Sequence, residues 1–406
     1  MVEITRADVL SARERLDGSS LVQRTPVEFS RSLSDVSGAD VFLKMEHLQR
    51  TGSFKTRGAY NKLLNVAERG DIEEVVAASA GNHAQGVALA AAETGVPSTI
   101  VMPTTAPQTK IDATRGYGAE VVLEGVNFGE AVSHAEALAE RDGVELVHAF
   151  DDPAIVAGQG TLGLELLEDV PDLDTVVVPI GGGGLIGGIG AALAEERPDV
   201  RIVGVQASDA ATVPESLEKG QPLPTDDVDT IADGIATGST AELTFSLIDE
   251  HVDEVVTVSE SELASGIVLL LERAKQLVEG AGAASVAALL GDQLDVTGET
   301  VVPVLSGGNL DMSRLQTILT HELTARRQMI RLQVRIDDGP GRMADISQRI
   351  GDLGANIRTV HHYRADGSLS VGEAFLVFLV ETSGDSHAAA IIESIEREGY
   401  EVTQVN

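Results

Sequence analysis

Thr175-Val176-Val177-Val178-Pro179-Ile180 runs directly into Gly181-Gly182-Gly183-Gly184-Leu185 and then into the small, apolar stretch from Ile186 to Glu195. Six residues of mostly β-branched character read as a buried strand, and the alanine- and glycine-rich segment that follows reads as a helix. The consecutive glycines therefore sit at a strand-to-helix turn. Their backbone N–H groups and the helix dipole can converge on an anion, a phosphate above all. A turn in which glycine only permits tight packing is the alternative.

The same alternation recurs on either side. Glu74 to Ala78 precedes a helical stretch from Ala84 to Glu93, and Ser98 to Met102 precedes one from Thr109 to Tyr117. This order predicts βαβ units around a mainly parallel sheet. Arg201 to Gln206 and Thr300 to Leu305 read as further strands, the latter ending in Ser306-Gly307-Gly308-Asn309. Ligands of open α/β sheets bind at such carboxyl ends. After a polar helical stretch, Ser313 to Gln328, the pattern changes. Ile330 to Ile336 alternates as a strand, Asp337-Asp338-Gly339-Pro340-Gly341 is a turn, and Arg342 to Leu353 is helical with Gly354 as its stop. Strands at Ile357 to Tyr363 and Ala374 to Glu381, a helix at Ser386 to Glu398 and a strand at Glu401 to Val405 complete the order βαββαβ, a ferredoxin-like module.

Composition bounds the function. The chain has 406 residues, 43% of them hydrophobic, enough for two or three domains with cores of their own. Its 64 acidic residues against 29 basic ones give a formal charge of −35, which repels nucleic acid and anionic membranes and excludes both as partners. Acidic residues are spread from Glu3 to Glu401, with pairs such as Asp226-Asp227 and Asp337-Asp338, so the charge is a property of the surface. Lysine occurs only at Lys44, Lys55, Lys62, Lys110, Lys219 and Lys275. A carboxylate-rich, lysine-poor surface suits concentrated salt, where self-repulsion is screened, and points to a halophilic source. With no cysteine, disulfides, thiolate catalysis and cysteine-rich zinc sites are excluded. Met1-Val2-Glu3-Ile4 does not open a signal peptide and the longest apolar run, Gly184 to Ala194, is short, so the expected location is the cytoplasm.

Three further stretches bear on chemistry. In Gly52-Ser53-Phe54-Lys55-Thr56-Arg57-Gly58-Ala59 a lysine stands beside small residues, just before a helical stretch. A partly buried, deprotonable amine there suits a Schiff base; a surface lysine closing a turn is the alternative. In Ser79-Ala80-Gly81-Asn82-His83-Ala84-Gln85-Gly86, Asn82 can bond an aromatic hydroxyl at the end of a strand, or simply cap the helix. His83 there is a catalytic candidate whose alternatives are packing and capping. Finally, Gly182, Gly184 and Gly187 satisfy G-x-G-x-x-G, which keeps a nicotinamide dinucleotide in view. That reading wants an acidic residue about 20 positions on. The strand in question ends at Gln206, with Asp209 nearby.

Taken in order, Ser53-Phe54-Lys55, Ser79-Ala80-Gly81-Asn82-His83, Asp151-Asp152-Pro153, Ala157-Gly158-Gln159-Gly160-Thr161, the tetraglycine loop and Ser306-Gly307-Gly308-Asn309 resemble the fold-type II pyridoxal phosphate enzymes, and within them the threonine dehydratases, or threonine ammonia-lyases. The resemblance implies a tryptophan synthase β-like α/β catalytic domain with two αβ lobes over residues 1–322, a linker at 323–329 and a ferredoxin-like ACT domain over 330–406. It further implies that Lys55 binds pyridoxal 5′-phosphate as a Schiff base, that Asn82 bonds the ring hydroxyl, that Gly181, Gly182, Gly183, Gly184 and Leu185 cradle the phosphate, and that Ser306 faces the pyridine nitrogen. A neutral hydroxyl partner leaves that nitrogen unprotonated and the ring a weaker electron sink, which favours elimination. The implied reaction takes L-threonine to 2-oxobutanoate and ammonium, and L-serine to pyruvate, as a first step toward isoleucine.

Two departures sharpen the resemblance. Serine racemases are similar but place a serine where this sequence has Ala80, so elimination without efficient racemisation is expected. They also use a carboxylate for a divalent cation where this chain has Gln206, and Asp209 alone makes a poor substitute, so no metal is assigned. Glu279, in Glu279-Gly280-Ala281-Gly282-Ala283, either lines the site or is a polar helix residue. In the ACT-like module, Asp338-Gly339-Pro340-Gly341-Arg342 matches the first turn, where helix amides can meet an effector carboxylate, isoleucine first among the candidates. The assembly implied is a homodimer or homotetramer. A non-catalytic amino-acid sensor, in which only this module works, remains a second reading.

Overall fold

β-Branched residues fit a pleated, half-buried surface, and the sequence concentrates them in short runs. In the computed structural model, which describes residues 4–225 and 228–405, those runs are the strands. Met1 to Glu3, the Asp226-Asp227 pair and Asn406 lie outside the described residues. The chain divides into two compact units, Met1–Asp311 and Met312–Asn406. Among the described residues, no helix is long and apolar enough to cross a membrane.

The first unit holds two sheets where the alternation alone suggested one. The larger has six strands in the order Val27–Phe29, Asp40–Lys44, Thr300–Pro303, Thr175–Pro179, Arg201–Ala207 and Glu254–Val258, parallel except for the first. The smaller is wholly parallel, in the order Glu120–Leu123, Ser98–Met102, Glu74–Ala78 and Val144–Leu146. Each has its own core: Val176, Val178, Ile180, Ile202 and Val302 in the larger, Val75, Ala77, Ile100 and Met102 in the smaller. Periodicity places strands but not their partners, which is why the division was not visible in the run order.

The helix Pro153–Asp169 lies between these halves and fixes both. It begins at Asp152, whose carboxylate accepts from the N–H groups of Ala154 and Ile155, with Pro153 in the first turn. A Cβ on Gly158 would stand 2.7 Å from the Cα of Gly58, and one on Gly160 would stand 2.5 Å from the carbonyl oxygen of Gly188. These glycines let Pro153–Asp169 touch the helix Lys55–Arg69 on one side and the helix Gly184–Leu193 on the other, backbone to backbone. The side-chain Oε1 of Gln159 also accepts from the N–H of Gly58 at 3.1 Å. The Ala157-Gly158-Gln159-Gly160-Thr161 motif is thus a packing motif.

Beneath that contact lies a buried ionic cluster. Arg57 donates to both carboxylate oxygens of Glu46 at 2.8 Å and to Glu165 at 2.6 and 2.9 Å. Lys44 completes it, donating to Glu165 at 2.6 Å and to the Thr25 carbonyl at 2.9 Å. Arg57, Glu46 and Lys44 are all buried. Burial by itself would push the Glu46 carboxyl upward, but the charge and hydrogen bonds of Arg57 outweigh it and hold Glu46 below the usual carboxylate range. Other lysines are also committed: Lys62 pairs with Asp152 at 2.5 Å and Glu145 at 2.7 Å, and Lys110 faces Asp311 at 3.8 Å and Asp233 at 4.0 Å. Lys219 and Lys275 alone among the six are exposed.

In the second unit, the antiparallel order is Asn356–Tyr363, Glu373–Glu381, Met329–Asp337, Glu401–Val405. Ile330, Leu332, Val334 and Ile336 alternate onto the face that packs against Ile346, Ile350, Ile391 and Ile395 of the helices Arg342–Asp352 and Asp385–Glu396. Gly354, at a φ of +82°, turns the chain after the first of these helices. The order is βαββαβ, as the sequence predicts.

Removing one member of the buried cluster strands its partner in a low-dielectric interior. Glu46→Ala is expected to destabilise the first unit by about 3–5 kcal/mol, read as a lower denaturant midpoint. Because the Glu46 carboxyl is depressed in the folded state, its stabilisation is present above the ordinary carboxylate range and lost as pH falls below it. An unchanged midpoint in Glu46→Ala would contradict this account.

Candidate active site

Lys55 opens the helix Lys55–Arg69, and the loop before it is stitched to the end of a strand from the other sheet. The N–H of Phe54 donates to the Ser306 carbonyl at 3.1 Å, the N–H of Gly308 donates to the Gly52 carbonyl at 2.9 Å, and Ser53 and Gly307 pair as an antiparallel bridge. Gly52 needs its glycine twice over: its φ is +76°, and a Cβ would stand 2.5 Å from the side-chain oxygen of Asn309. Two sequence motifs far apart in the chain are thereby one piece of structure.

The Lys55 amine is half-buried and donates to the Ala149 carbonyl at 3.0 Å, with the Phe54 ring centroid 5.2 Å away. Burial pushes it down to about 8, against the opposing pull of the Glu279 carboxylate. It is therefore an amine that can shed its proton near neutral pH, and not a surface lysine. His83 is buried, its Nε2 donating to the Val147 carbonyl at 2.9 Å. Burial first and the Lys55 charge second hold its imidazole down to about 3, so it is neutral and braces the strand end instead of exchanging protons.

Asn82 is the first residue of the helix Asn82–Thr94, preceded by Gly81. Its side chain leaves the helix uncapped and reaches two residues of the other half: its nitrogen donates to Glu279 Oε1 at 2.6 Å, and its oxygen accepts from Asn309 Nδ2 at 2.8 Å. One turn on, a Cβ on Gly86 would stand 3.2 Å from the Lys55 carbonyl oxygen, so this face of the helix is the one turned to Lys55. Glu279 stands just before the helix Gly280–Leu290, and burial pushes its carboxyl up to about 7 despite the hydrogen bond from Asn82. Glu279 is thus set against Asn82 and is not a solvent-facing helix residue.

The glycine loop is the anion cradle in form. Gly183, at a φ of +87°, precedes the helix Gly184–Leu193, and Gly182, Gly183, Gly184 and Leu185 are buried. Among the described residues, none of their N–H groups meets a protein acceptor. Buried donors without partners are costly, and at a helix N-terminus they call for an anion. A Cβ on Gly182 would stand 2.1 Å from the Phe150 ring, so the loop is also packed to the limit. Tight packing, the second reading of the tetraglycine, is what the contact with Phe150 shows. The segment from His148 to Asp151 ties cradle to amine: Phe150 covers the glycines while Ala149 takes the Lys55 proton donor.

Ser306 is buried at the end of its strand, beside the loop of Lys55. A half-buried deprotonable amine, an amide donor and an anion cradle fit a cofactor that carries an aldehyde and a phosphate. The side chain of Gln206 is spent on the backbone around it: its Oε1 accepts from the N–H groups of Thr212 and Val213 at 3.1 and 2.8 Å, and its nitrogen reaches the Ile180 carbonyl at 3.5 Å. No group of three or more His, Asp or Glu side chains is arranged for a metal among the described residues. Asn309 and the His148 to Asp151 segment are the members of the site that the sequence left without a role. The only signal was that Asn309 closes a glycine turn at a strand end.

In the second unit, the Asp338 to Arg342 turn precedes the helix Arg342–Asp352, and Asp338 accepts from Arg364 Nε at 2.7 Å, with His362 Nε2 3.3 Å away. The turn is therefore tethered to the chain just after the strand Asn356–Tyr363.

Residues 19–307 match the family described as pyridoxal-phosphate dependent enzyme, and residues 330–397 match the ACT domain family. An L-threonine ammonia-lyase of Thermotoga maritima is 44% identical over 399 residues, covering 98% of this chain and 99% of its own. Among solved structures, the processed form of threonine deaminase isoform 2 from Solanum lycopersicum is 37% identical with a TM-score of 0.73, over 77% of this chain and 86% of its own. Maize serine racemase is 32% identical with a TM-score of 0.74, over 80% of this chain and all (100%) of its own. None of these carries the nicotinamide reading.

The Lys55 amine is expected to lose its proton with a midpoint about 8, some two units below an ordinary lysine at ~10.4. Reductive methylation of the apo-protein followed across pH by peptide mass spectrometry measures it. A Lys55 midpoint equal to those of Lys219 and Lys275 would contradict the burial argument.

Proposed function

Because the chain belongs to the pyridoxal-phosphate-dependent enzyme family and carries an ACT domain, we propose that it acts as a threonine ammonia-lyase, converting L-threonine to 2-oxobutanoate and ammonium. The observation that carries the reading is the Lys55 amine, half-buried, deprotonable near neutral pH and set in one piece of structure with Asn82, Glu279 and Ser306. L-Serine would enter the same reaction and leave as pyruvate, and the threonine reaction would open a route to isoleucine.

Pyridoxal phosphate supplies the electron sink that makes the Cα proton acidic and lets the β-hydroxyl depart. The chain supplies binding, orientation and acid–base work. Gly181 to Leu185 would hold the phosphate on N–H groups that have no protein acceptor among the described residues. Asn82 would offer an N–H to the ring oxygen, and Ser306 a hydroxyl to the ring nitrogen. Lys55 would hold the cofactor through Nζ and, with substrate bound, take the Cα proton on that same atom. An amine held down to about 8 can hold and return that proton near neutral pH. The Cα proton and the β-hydroxyl would leave together as water, and a second water would free the nitrogen as ammonium, giving the 2-oxo acid. Ala80 supports elimination over racemisation, since it has no hydroxyl to carry a proton on the opposite face.

The second unit extends the reading. An amino acid, isoleucine first, would bind at the turn from Asp338 to Arg342, where helix amides are offered to a carboxylate. The working form would be a homodimer or homotetramer.

Lys55→Ala should fold, lose covalently trappable cofactor and lose 2-oxobutanoate production by roughly 10⁴-fold or more; a coupled 2-oxo acid assay and borohydride trapping measure both. Trapping at another residue would overturn the assignment of Lys55, and a wild type that neither absorbs in the visible nor responds to added pyridoxal phosphate would overturn the reading itself. Gly182→Ala forces a methyl onto the Phe150 ring, at a cost of about 1–3 kcal/mol, and should weaken cofactor binding roughly ten- to hundred-fold in equilibrium dialysis. Isoleucine should change the apparent affinity for threonine by about 5–150-fold in steady-state titrations, and turnover indifferent to every branched-chain amino acid would remove the regulatory reading.

A further inference from the structure

The side-chain nitrogen of Asn309 makes two donations, to the Thr51 carbonyl at 2.7 Å and to Asn82 Oδ1 at 2.8 Å. A backbone carbonyl can only accept, so the Asn309 amide has one allowed orientation, and both of its hydrogens are used. The consequence passes to Asn82. Its oxygen must be the atom that meets Asn309, which turns its nitrogen to Glu279 Oε1 at 2.6 Å and leaves one N–H of that nitrogen over. The geometry around this relay is close. A Cβ on Gly307 would stand 2.2 Å from Glu279 Oε1 and 3.1 Å from Asn82 Nδ2, just as one on Gly52 would collide with Asn309.

Glu279 does not fix the Asn82 amide by itself. Its carboxyl is pushed up to about 7 by burial, so near neutrality it can donate as well as accept and would tolerate either orientation of the amide. Asn309 does not titrate, and Thr51 holds it.

We propose that Asn309 is a positioning residue that acts through Asn82, locking the amide so that an N–H, and not the carbonyl, meets the cofactor's ring oxygen. The inference rests on the reading of Lys55 and Asn82 as the cofactor site. An N–H stabilises negative charge on that oxygen, whereas a carbonyl turned toward it repels the charge. The relay also joins three loops: Thr51 before Lys55, Asn82 after the strand Glu74–Ala78, and Asn309 after the strand Thr300–Pro303. A rotated Asn82 would therefore be felt in the cofactor's absorption before it is felt in the fold.

The test uses the holoenzyme and four chains: wild type, Asn309→Ala, Asn82→Ala and the double variant. Asn309→Ala is expected to move part of the Schiff-base absorption from the visible to the near-ultraviolet and to weaken pyridoxal phosphate binding about tenfold, for a loss of ~1.4 kcal/mol. In the Asn82→Ala background the same change should do neither, since its intermediary is gone. Should Asn309→Ala fail to fold by circular dichroism, Asn309→Asp, of the same shape but without donors, is read the same way. A wild-type spectrum and affinity in the Asn309 variant would overturn the proposal, as would effects that simply add in the double variant. A colourless wild type would instead overturn the cofactor reading beneath it, so the two failures are distinguishable.

Discussion

A guanidinium buried two residues beyond Lys55 is the constraint on which the rest depends. Arg57 is matched on one side by Glu46 and on the other by Glu165, with Lys44 completing the charge balance. Charges so far from water persist only when each is paired and hydrogen-bonded, so the four residues fix one another's positions closely. Glu46 follows the strand Asp40–Lys44 of the larger sheet, Arg57 lies in the first turn of the helix that covers the smaller one, and Glu165 belongs to the helix between them. The cluster sets where Lys55 stands relative to both sheets. The glycine contacts at Gly158 and Gly160 then set the distance of closest approach.

What converges on Lys55 comes from loops at strand ends, and each is held by groups that cannot easily move. Ser306 and Gly308 are bonded to the Lys55 loop by backbone alone, the Asn82 amide is held from both sides, and Gly182 is pinned under Phe150. Such a site is preorganised: the ordering cost is met in folding, not on ligand binding.

Much of this was legible in the sequence, and the reasons it was or was not are physical. Ser98 to Met102 and Glu401 to Val405 were legible to the residue because β-branched runs bounded by turn formers have few other options. The ends of the helix Arg342–Asp352 were legible because Gly341 and Gly354 are in left-handed conformations that only glycine adopts readily. The division of strands between two sheets was not legible in the local alternation, since strand pairing is a long-range choice, and came only from the family resemblance, whose two αβ lobes the structure has. Within the site, Lys55 and the tetraglycine stood out by residue type. Asn309 did not, because its importance lies in which acceptors surround it, Thr51 and Asn82, and those come from distant parts of the chain. Glu279 was ambiguous for a related reason: a carboxylate before a helix is commonplace, and only its burial beside Asn82 sets it apart.

The disposition of the six lysines has a consequence for how this chain meets aldehydes in general. Lys44, Lys62 and Lys110 are engaged with carboxylates, Lys55 lies in the site, and Lys219 and Lys275 alone stand in solvent. A reducing sugar or any other adventitious carbonyl compound therefore finds almost no free side-chain amine on the outside, while the Lys55 amine, loosened from its proton by burial, lies inside. Glycation and amine-directed crosslinking should leave the surface nearly untouched, so that selectivity for one aldehyde begins with the scarcity of competing nucleophiles.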